Sequence, residues 1–90
     1  MEKYLYDLGI NKELVGYQYL LDILELINND RVLTIHICRA YDIVAEKYGK
    51  SRQYVSSSLM NVFRTPFLKK RTTKDQIIYL FNTLKKKKLI

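Results

Sequence analysis

The sequence contains few of the residues that form loops, disulfides and metal sites. Its 90 residues include one proline, three glycines, one cysteine, one histidine and no tryptophan. The scarcity of proline and glycine argues against long loops and extensive disorder. Cys38 has no second cysteine to pair with, which is typical of a reducing compartment. His36 has no second histidine and no cysteine pair beside it, so we expect neither a metal nor a cofactor.

Long apolar runs are absent as well. No stretch approaches the roughly 18 residues of a membrane span. Residues 1–9 lack the basic start and the apolar run of a signal peptide. We therefore expect a cytoplasmic protein with no membrane partner. The chain offers no catalytic constellation and no phosphate-binding glycine loop, which predicts that it is not an enzyme. Its length predicts a single domain over residues 1–90.

Acidic residues are scarce in the second half of the chain. Residues 1–45 carry four basic and seven acidic side chains, whereas residues 46–90 carry twelve basic and two acidic ones. The formal net charge of +7 is therefore concentrated in the second half. A basic half of this kind favours a polyanionic partner, chiefly the phosphate backbone of nucleic acid, over a merely solvated surface.

The residues from about Tyr41 to Arg64 have the pattern of a helix-turn-helix. Val44, Ala45 and Tyr48 share one helical face, Gly49 and Lys50 break the helix, and Ser51 is a suitable N-cap for the next one. That next helix, predicted over Arg52–Arg64 and ended by Pro66, has an apolar stripe. The stripe consists of Val55, Leu59, Val62 and Phe63. The same pattern occurs in αα-hairpins that do not contact DNA.

Two further helices are predicted before this motif, and the first helix of the motif is the third helix of the chain. The first covers residues 3–8 and ends at Gly9, and the second covers about residues 12–28, with Asn11 as its N-cap and Leu14 on its apolar face. The third begins at Asp30 or Thr34 and continues to Tyr48. The β-branched run 32–37 is also compatible with a short strand, but it has no partner strand of similar quality, so we favour a helix.

A last helix is predicted after residue 72. Thr73 and Gln76 have the spacing of a capping box, and an apolar stripe follows, consisting of Ile77, Leu80, Phe81 and Leu84. Four lysines, residues 85–88, then lie at its C-terminus. They are compatible both with a favourable interaction with the helix dipole and with contact to phosphates.

The side of the fourth helix opposite its apolar stripe is rich in groups that can read base edges. Amide side chains pair with adenine, guanidinium groups with guanine, and hydroxyls with either. The predicted base-reading residues are Lys50, Gln53, Tyr54, Ser57, Asn61 and Arg64. The predicted phosphate-contacting residues are Lys47, Ser51, Arg52, Lys69, Lys70 and Arg71.

Four stretches in order along the chain resemble a known family. They are LYDLGINKELVGYQYLLDILELINND (5–30), AYDIVAEKYGKS (40–51), SRQYVSSSLMNVF (51–63) and RTTKDQIIYLFNTLKKK (71–87). Together they resemble the C-terminal DNA-binding domain of the stage-zero sporulation protein A family of response regulators, without its receiver domain. The resemblance implies an all-α, compact bundle of five to six helices. It also implies double-stranded DNA as partner, binding as a homodimer or as tandem monomers, and possible contact with RNA polymerase.

The resemblance has two departures in its functional parts. The family's recognition helix carries several arginines, a glutamate and a histidine on its reading face. Here those positions hold Tyr54, Ser56, Ser57, Met60 and Asn61. The segment between this helix and the last one is also shorter, which weakens the expectation of polymerase contact. The leading interpretation is a sequence-specific DNA-binding transcriptional regulator. The alternative is a protein-interaction module that pairs with a related regulator and does not read DNA.

Overall fold

The computed structural model of the chain describes residues 2–63 and 72–90. Within these residues there are five α-helices, one 3-10 helix and no strand, which confirms the all-α prediction. The helices are α1 (Glu2–Asp7), α2 (Val15–Asn29), the 3-10 helix Arg31–Thr34, α3 (Ile37–Tyr48), α4 (Arg52–Val62) and α5 (Thr73–Lys86). The strand considered for residues 32–37 is thus excluded.

One core holds these helices together. The apolar stripes predicted for α4 and α5 are buried in full, with Leu59, Ile77 and Leu84 completely inaccessible to solvent. They meet α2, which runs through the middle of the domain and contributes Leu20, Ile23, Leu24 and Ile27 to the same core. Burial of apolar side chains at these spacings is what drives amphipathic helices together.

The predicted helix-turn-helix is present. Gly49 follows α3 with φ 65°, a left-handed conformation that a residue with a side chain rarely adopts. The amide of Lys50 donates to the carbonyl of Ala45 at 2.8 Å and that of Gly49 to Glu46 at 3.2 Å. These two bonds form a Schellman motif, which ends α3 and reverses the chain. Ser51 then caps α4, its hydroxyl accepting from the Tyr54 amide at 3.0 Å.

The start of α2 differs from the prediction. The helix begins at Val15, and Leu14 occupies its N-cap without a side-chain hydrogen bond. Asn11 instead closes a local turn by accepting from the Glu13 amide at 2.9 Å, as asparagine does in short turns. Consequently Leu14, predicted to face the core, is 38% exposed.

Two other helix starts are also shifted. Asp30 caps the 3-10 helix by accepting from the Val32 amide, and α3 starts afterwards, at Ile37. Thr72, rather than Thr73, caps α5 by accepting from the Asp75 amide at 3.2 Å. Gln76 is therefore not part of a capping box, and its side chain is buried.

The close approach of α2 and α4 determines where the exposed side of α4 lies. Gly16 in α2 packs directly on the backbone of α4 at Ser58, where there is no space for a β-carbon. The absence of a side chain at Gly16 is therefore what allows the two helices to approach so closely. In the described ranges, no helix combines the length and the apolar character needed to cross a membrane.

Candidate nucleic-acid interface

The exposed side of α4 presents the predicted base-reading residues that the structure describes. Gln53, Tyr54, Ser57 and Asn61 are all solvent-exposed, and Lys50 lies exposed in the turn before the helix. They lie on the side opposite the buried residues Val55, Leu59 and Val62. Met60 is also exposed, at 56%. Arg64, the last predicted base-reading residue, lies outside the described residues. The structure therefore brings five of the six candidates onto one accessible surface, which we call the α4 face.

Tyr54 is held more firmly than its exposure suggests. Its ring packs edge-on against the ring of Tyr19 in α2, with the ring centres 6.3 Å apart. Tyr19 in turn packs against Tyr48 at the end of α3, at 5.1 Å. The ammonium group of Lys50 lies 5.1 Å from the centre of the Tyr54 ring, within the range of a cation–π interaction. The rings of Tyr48, Tyr19 and Tyr54 form a row that fixes one edge of the α4 face.

Arg52, a predicted phosphate ligand, is paired within the protein. Its Nε and one terminal nitrogen donate to the two carboxylate oxygens of Asp42 at 2.6 and 2.5 Å. These hydrogen bonds hold the pKa of the Asp42 carboxyl below its usual value and raise that of the Arg52 guanidinium. Both side chains are about half exposed, at 55% and 49%. The guanidinium group thus remains accessible from solvent while it binds the carboxylate.

Lys47, a second predicted phosphate ligand, belongs to a cluster around Asp22. The Asp22 carboxylate accepts from Gln18 at 3.2 Å, from Lys47 at 3.4 Å and from the Tyr48 hydroxyl at 2.5 Å. Attraction to this carboxylate raises the pKa of Lys47, and the hydrogen bond raises the pKa of Tyr48. The Asp22 side chain is only 10% exposed, whereas that of Lys47 is 60% exposed. The cluster therefore ties α2 to the end of α3, while the lysine still faces solvent.

The remaining phosphate candidates have different environments. Ser51 is exposed, and its hydroxyl is engaged in the cap of α4. Lys69, Lys70 and Arg71 lie outside the described residues. Of the four lysines at the C-terminal end of α5, Lys85 donates to Asn28 at 3.1 Å and Lys87 lies 5.4 Å from the centre of the Tyr4 ring. These two contacts link the C-terminal end of α5 to α2 and to α1, in addition to the predicted interaction of the lysines with the helix terminus.

The structure adds basic residues that the sequence pattern did not single out. Arg39 of α3 and Lys74 of α5 line the same groove as Arg52, between the N-terminal halves of three helices. Asp42 and Asp75 line it as well. Only the folded chain brings residue 74 next to residue 39, so no local pattern could have indicated this grouping.

Three supporting residues were missed for a similar reason. Tyr19 and Asp22 lie on α2 and contact the end of α3, far away in sequence, and Val15 flanks the α4 face. An acidic residue inside the apolar pattern of α2 was the one available signal, because a buried carboxylate requires partners.

In the described parts of the chain, no three side chains of the metal-binding types lie close enough to hold a metal ion.

A capped helix that follows a Schellman turn and exposes amide and hydroxyl side chains has the arrangement of a helix-turn-helix, which is common in DNA-binding domains. The chain belongs to the family described as Sporulation initiation factor Spo0A C terminal, whose model matches residues 1–89. This is a family of DNA-binding effector domains of a sporulation regulator. Searches of curated proteins and of solved structures returned no match.

Proposed function

We propose that this chain is a sequence-specific transcriptional regulator that inserts α4 into the major groove of DNA. The observation that carries the proposal is the α4 face, where amide and hydroxyl side chains are exposed together with Lys50 and Met60. A helix that only faces solvent gains nothing from such a composition, because serine and asparagine are weak helix formers. In a major groove the same groups find donors and acceptors on base edges.

The side chains of the α4 face suit different base edges. Gln53 and Asn61 are suited to adenine, Lys50 to guanine and Ser57 to several base edges, and Tyr54 would contact a base from the same surface. Arg64, which follows α4 in the chain, is proposed to read guanine. These assignments follow from side-chain chemistry and from the exposure of the described members.

The phosphate contacts are proposed for the basic residues around α4. Lys47 and Arg52 each keep more than half of the side chain exposed while paired with a carboxylate. They are therefore accessible to a phosphate oxygen as a second acceptor. Ser51 is placed at the start of α4, and Lys69, Lys70 and Arg71 follow it in the chain. Together with the net charge of +7, they favour a polyanionic partner.

The setting of this activity is proposed from family membership and composition. We infer that residues 1–90 act as one cytoplasmic, non-enzymatic domain that binds double-stranded DNA as a homodimer or as tandem monomers. Contact with RNA polymerase is a further expectation from the family. No cofactor and no membrane are involved in this scheme.

A selection from a random DNA pool tests the proposal. The purified chain should recover a preferred short sequence, and a gel-shift titration should show weaker binding as salt rises, because bound phosphates release counterions. If all sequences were recovered with equal affinity, binding would be electrostatic and non-specific, and the proposed sequence specificity would be wrong. Absence of binding even at low salt would exclude DNA as the partner.

A second function is favoured by one specific observation. The one described arginine of α4, Arg52, is bound to Asp42 instead of projecting from the α4 face. Among the residues that the structure describes, the α4 face therefore has no unpaired guanidinium group. Such a face also suits contact with a protein, such as a related regulator paired through α5, where Tyr79 is 48% exposed. In that case the chain would associate with the related regulator and alter its DNA binding, without retaining DNA by itself.

A further inference from the structure

A shallow apolar groove lies beside the α4 face. It has a volume of about 330 Å³ and separates the start of α2 from one side of α4. Leu14 and Val15 form its α2 wall and are 38% and 55% exposed. Its lining is Leu14, Val15, Gly16, Tyr54, Ser57, Ser58 and Asn61. The groove therefore joins an exposed aliphatic pair to three of the proposed base-reading residues.

The position of Leu14 and Val15 relative to α4 is fixed by backbone contact. Gly16 follows them directly and packs on the Ser58 carbonyl without space for a side chain. The Tyr19–Tyr54 contact holds the same two helices together one turn further along. Because interiors packed at this density do not slide freely, the aliphatic pair stays next to Ser57 and Asn61. Whatever binds these two polar side chains comes within reach of the aliphatic pair.

The residues that line the groove favour an apolar contact over contact with a phosphate. None of the residues that line the groove carries a charge, so a phosphate finds no counter-ion there. Lys12 and Glu13, which precede the aliphatic pair, line a different groove with Tyr6. A major groove presents one prominent apolar group, the 5-methyl group of thymine, beside hydrogen-bonding edges. An aliphatic wall next to Ser57 and Asn61 complements that arrangement.

We infer that Leu14 and Val15 are a second base-contacting element, which reads a thymine methyl group next to the bases contacted by α4. The inference rests on the proposed function of α4 and extends it to a second helix. The occupant of the groove is then the edge of a thymine base. Specificity at that base pair comes from apolar contact and not from a hydrogen bond.

A thymine-to-uracil scan of the selected DNA sequence tests this inference, because uracil lacks only the methyl group. With the wild-type chain, replacing the contacted thymine should weaken binding about fourfold, the effect of one buried methyl group. With Leu14→Ala combined with Val15→Ala, the same replacement should have no effect. Val32→Ala is the matched control, since Val32 and Val15 are equally exposed, at 55%. Val32→Ala should show the same loss of affinity on uracil replacement as the wild-type chain. Circular dichroism should show equal helix content in all three proteins.

The outcomes separate this inference from the proposed function. If the random pool yields no preferred sequence, the proposed function fails and the inference fails with it. If a preferred sequence is recovered, and Asn61→Ala alters it, but the uracil scan is identical in wild type and double variant, only the inference is overturned. A double variant that binds DNA normally but dissociates a dimer in sedimentation would also overturn it, in favour of a second copy in the groove.

Discussion

A β-carbon built on Gly16 would overlap the carbonyl oxygen of Ser58 and would lie 2.6 Å from a methyl group of Val62. The carbonyl belongs to the backbone of α4 and cannot move away as a flexible side chain does. The orientation of α4 on α2 therefore depends on the absence of a side chain at this position.

We expect Gly16→Ala to lower the free energy of unfolding by about 1–3 kcal/mol, the usual effect of overpacking. Intrinsic helix propensity favours alanine by up to about 1 kcal/mol, so a net loss shows that the contact dominates. Urea denaturation followed by circular dichroism measures the change. Asn82→Ala, at an exposed position of α5, is the control and should change stability little. A stabilised Gly16→Ala variant would contradict the close contact.

Two tyrosine hydroxyls provide a matched comparison. The Tyr41 hydroxyl is buried and has no hydrogen-bond partner within residues 2–63 and 72–90, whereas the Tyr48 hydroxyl donates to Asp22. We expect Tyr41→Phe to leave stability unchanged or raise it by about 1 kcal/mol, because a buried unpaired hydroxyl is unfavourable. Tyr48→Phe should lower stability by about 1–2 kcal/mol, since it removes a hydrogen bond to a charged group. Equal effects of the two substitutions in thermal or urea unfolding would contradict this assignment.

Alkaline pH should destabilise the domain through Tyr41. Burial raises the pKa of its hydroxyl from 10.0 to about 12. Because the unfolded chain ionises first, the contribution of Tyr41 is fully present below about pH 10 and is lost as the pH rises to about 12. A difference of this size corresponds to about 2–3 kcal/mol. The measurement is the unfolding free energy of Tyr41→Phe minus that of wild type, which should increase by that amount between pH 8 and pH 12, because phenylalanine does not ionise. A difference that stays constant would refute the prediction.

Removal of the carboxylate that binds Arg52 should strengthen DNA binding. Asp42→Asn leaves the Arg52 guanidinium group free for a phosphate, so affinity for random-sequence DNA and the slope of its salt dependence should both increase. Stability should change little, because the pair is exposed and screened by solvent. Fluorescence anisotropy across a salt series measures both effects. Asp7→Asn on α1 changes the net charge equally, away from α4, and a similar gain in that variant would assign the effect to overall charge.

Asn61 should contribute specificity more than affinity. We expect Asn61→Ala to relax the preference at one base position of the selected sequence by about 1–3 kcal/mol, because an amide can bind adenine bidentately. The salt dependence should stay unchanged, since no phosphate contact is lost. Selection from a random pool with both proteins measures the effect. An identical selected sequence would remove Asn61 from the base-reading set.

The sequence predicted those parts of the fold that depend on local periodicity. The apolar stripes of α4 and α5 and the turn at Gly49 are encoded within single segments, and they are present as predicted. The predicted helix starts were less accurate. The side chains of Asn11 and Asp30 can accept a hydrogen bond from a nearby amide equally well in a turn or in a 3-10 helix. Periodicity therefore located the helices but not all of their caps.

The candidate site was predictable on α4 itself, because exposure follows from the opposite, buried stripe. Its support was not predictable, because Asp22 meets Tyr48 and Tyr19 meets Tyr54 across long sequence separations. The intramolecular partners of Lys47 and Arg52 could not be foreseen for the same reason. A list of basic residues gives the charge of the surface, and the fold decides which of these charges are already paired.

The anchoring of α4 by its buried stripe and by the backbone at Ser58 has a consequence for engineering. Gln53, Ser57 and Asn61 are exposed and lie outside the core. Exchanging them alters the chemistry of the outer surface while the attachment of the helix stays the same. The residues that hold α4 in place are thus separate from the residues proposed to contact DNA. Libraries randomised at these three positions should yield folded members with diverse binding preferences.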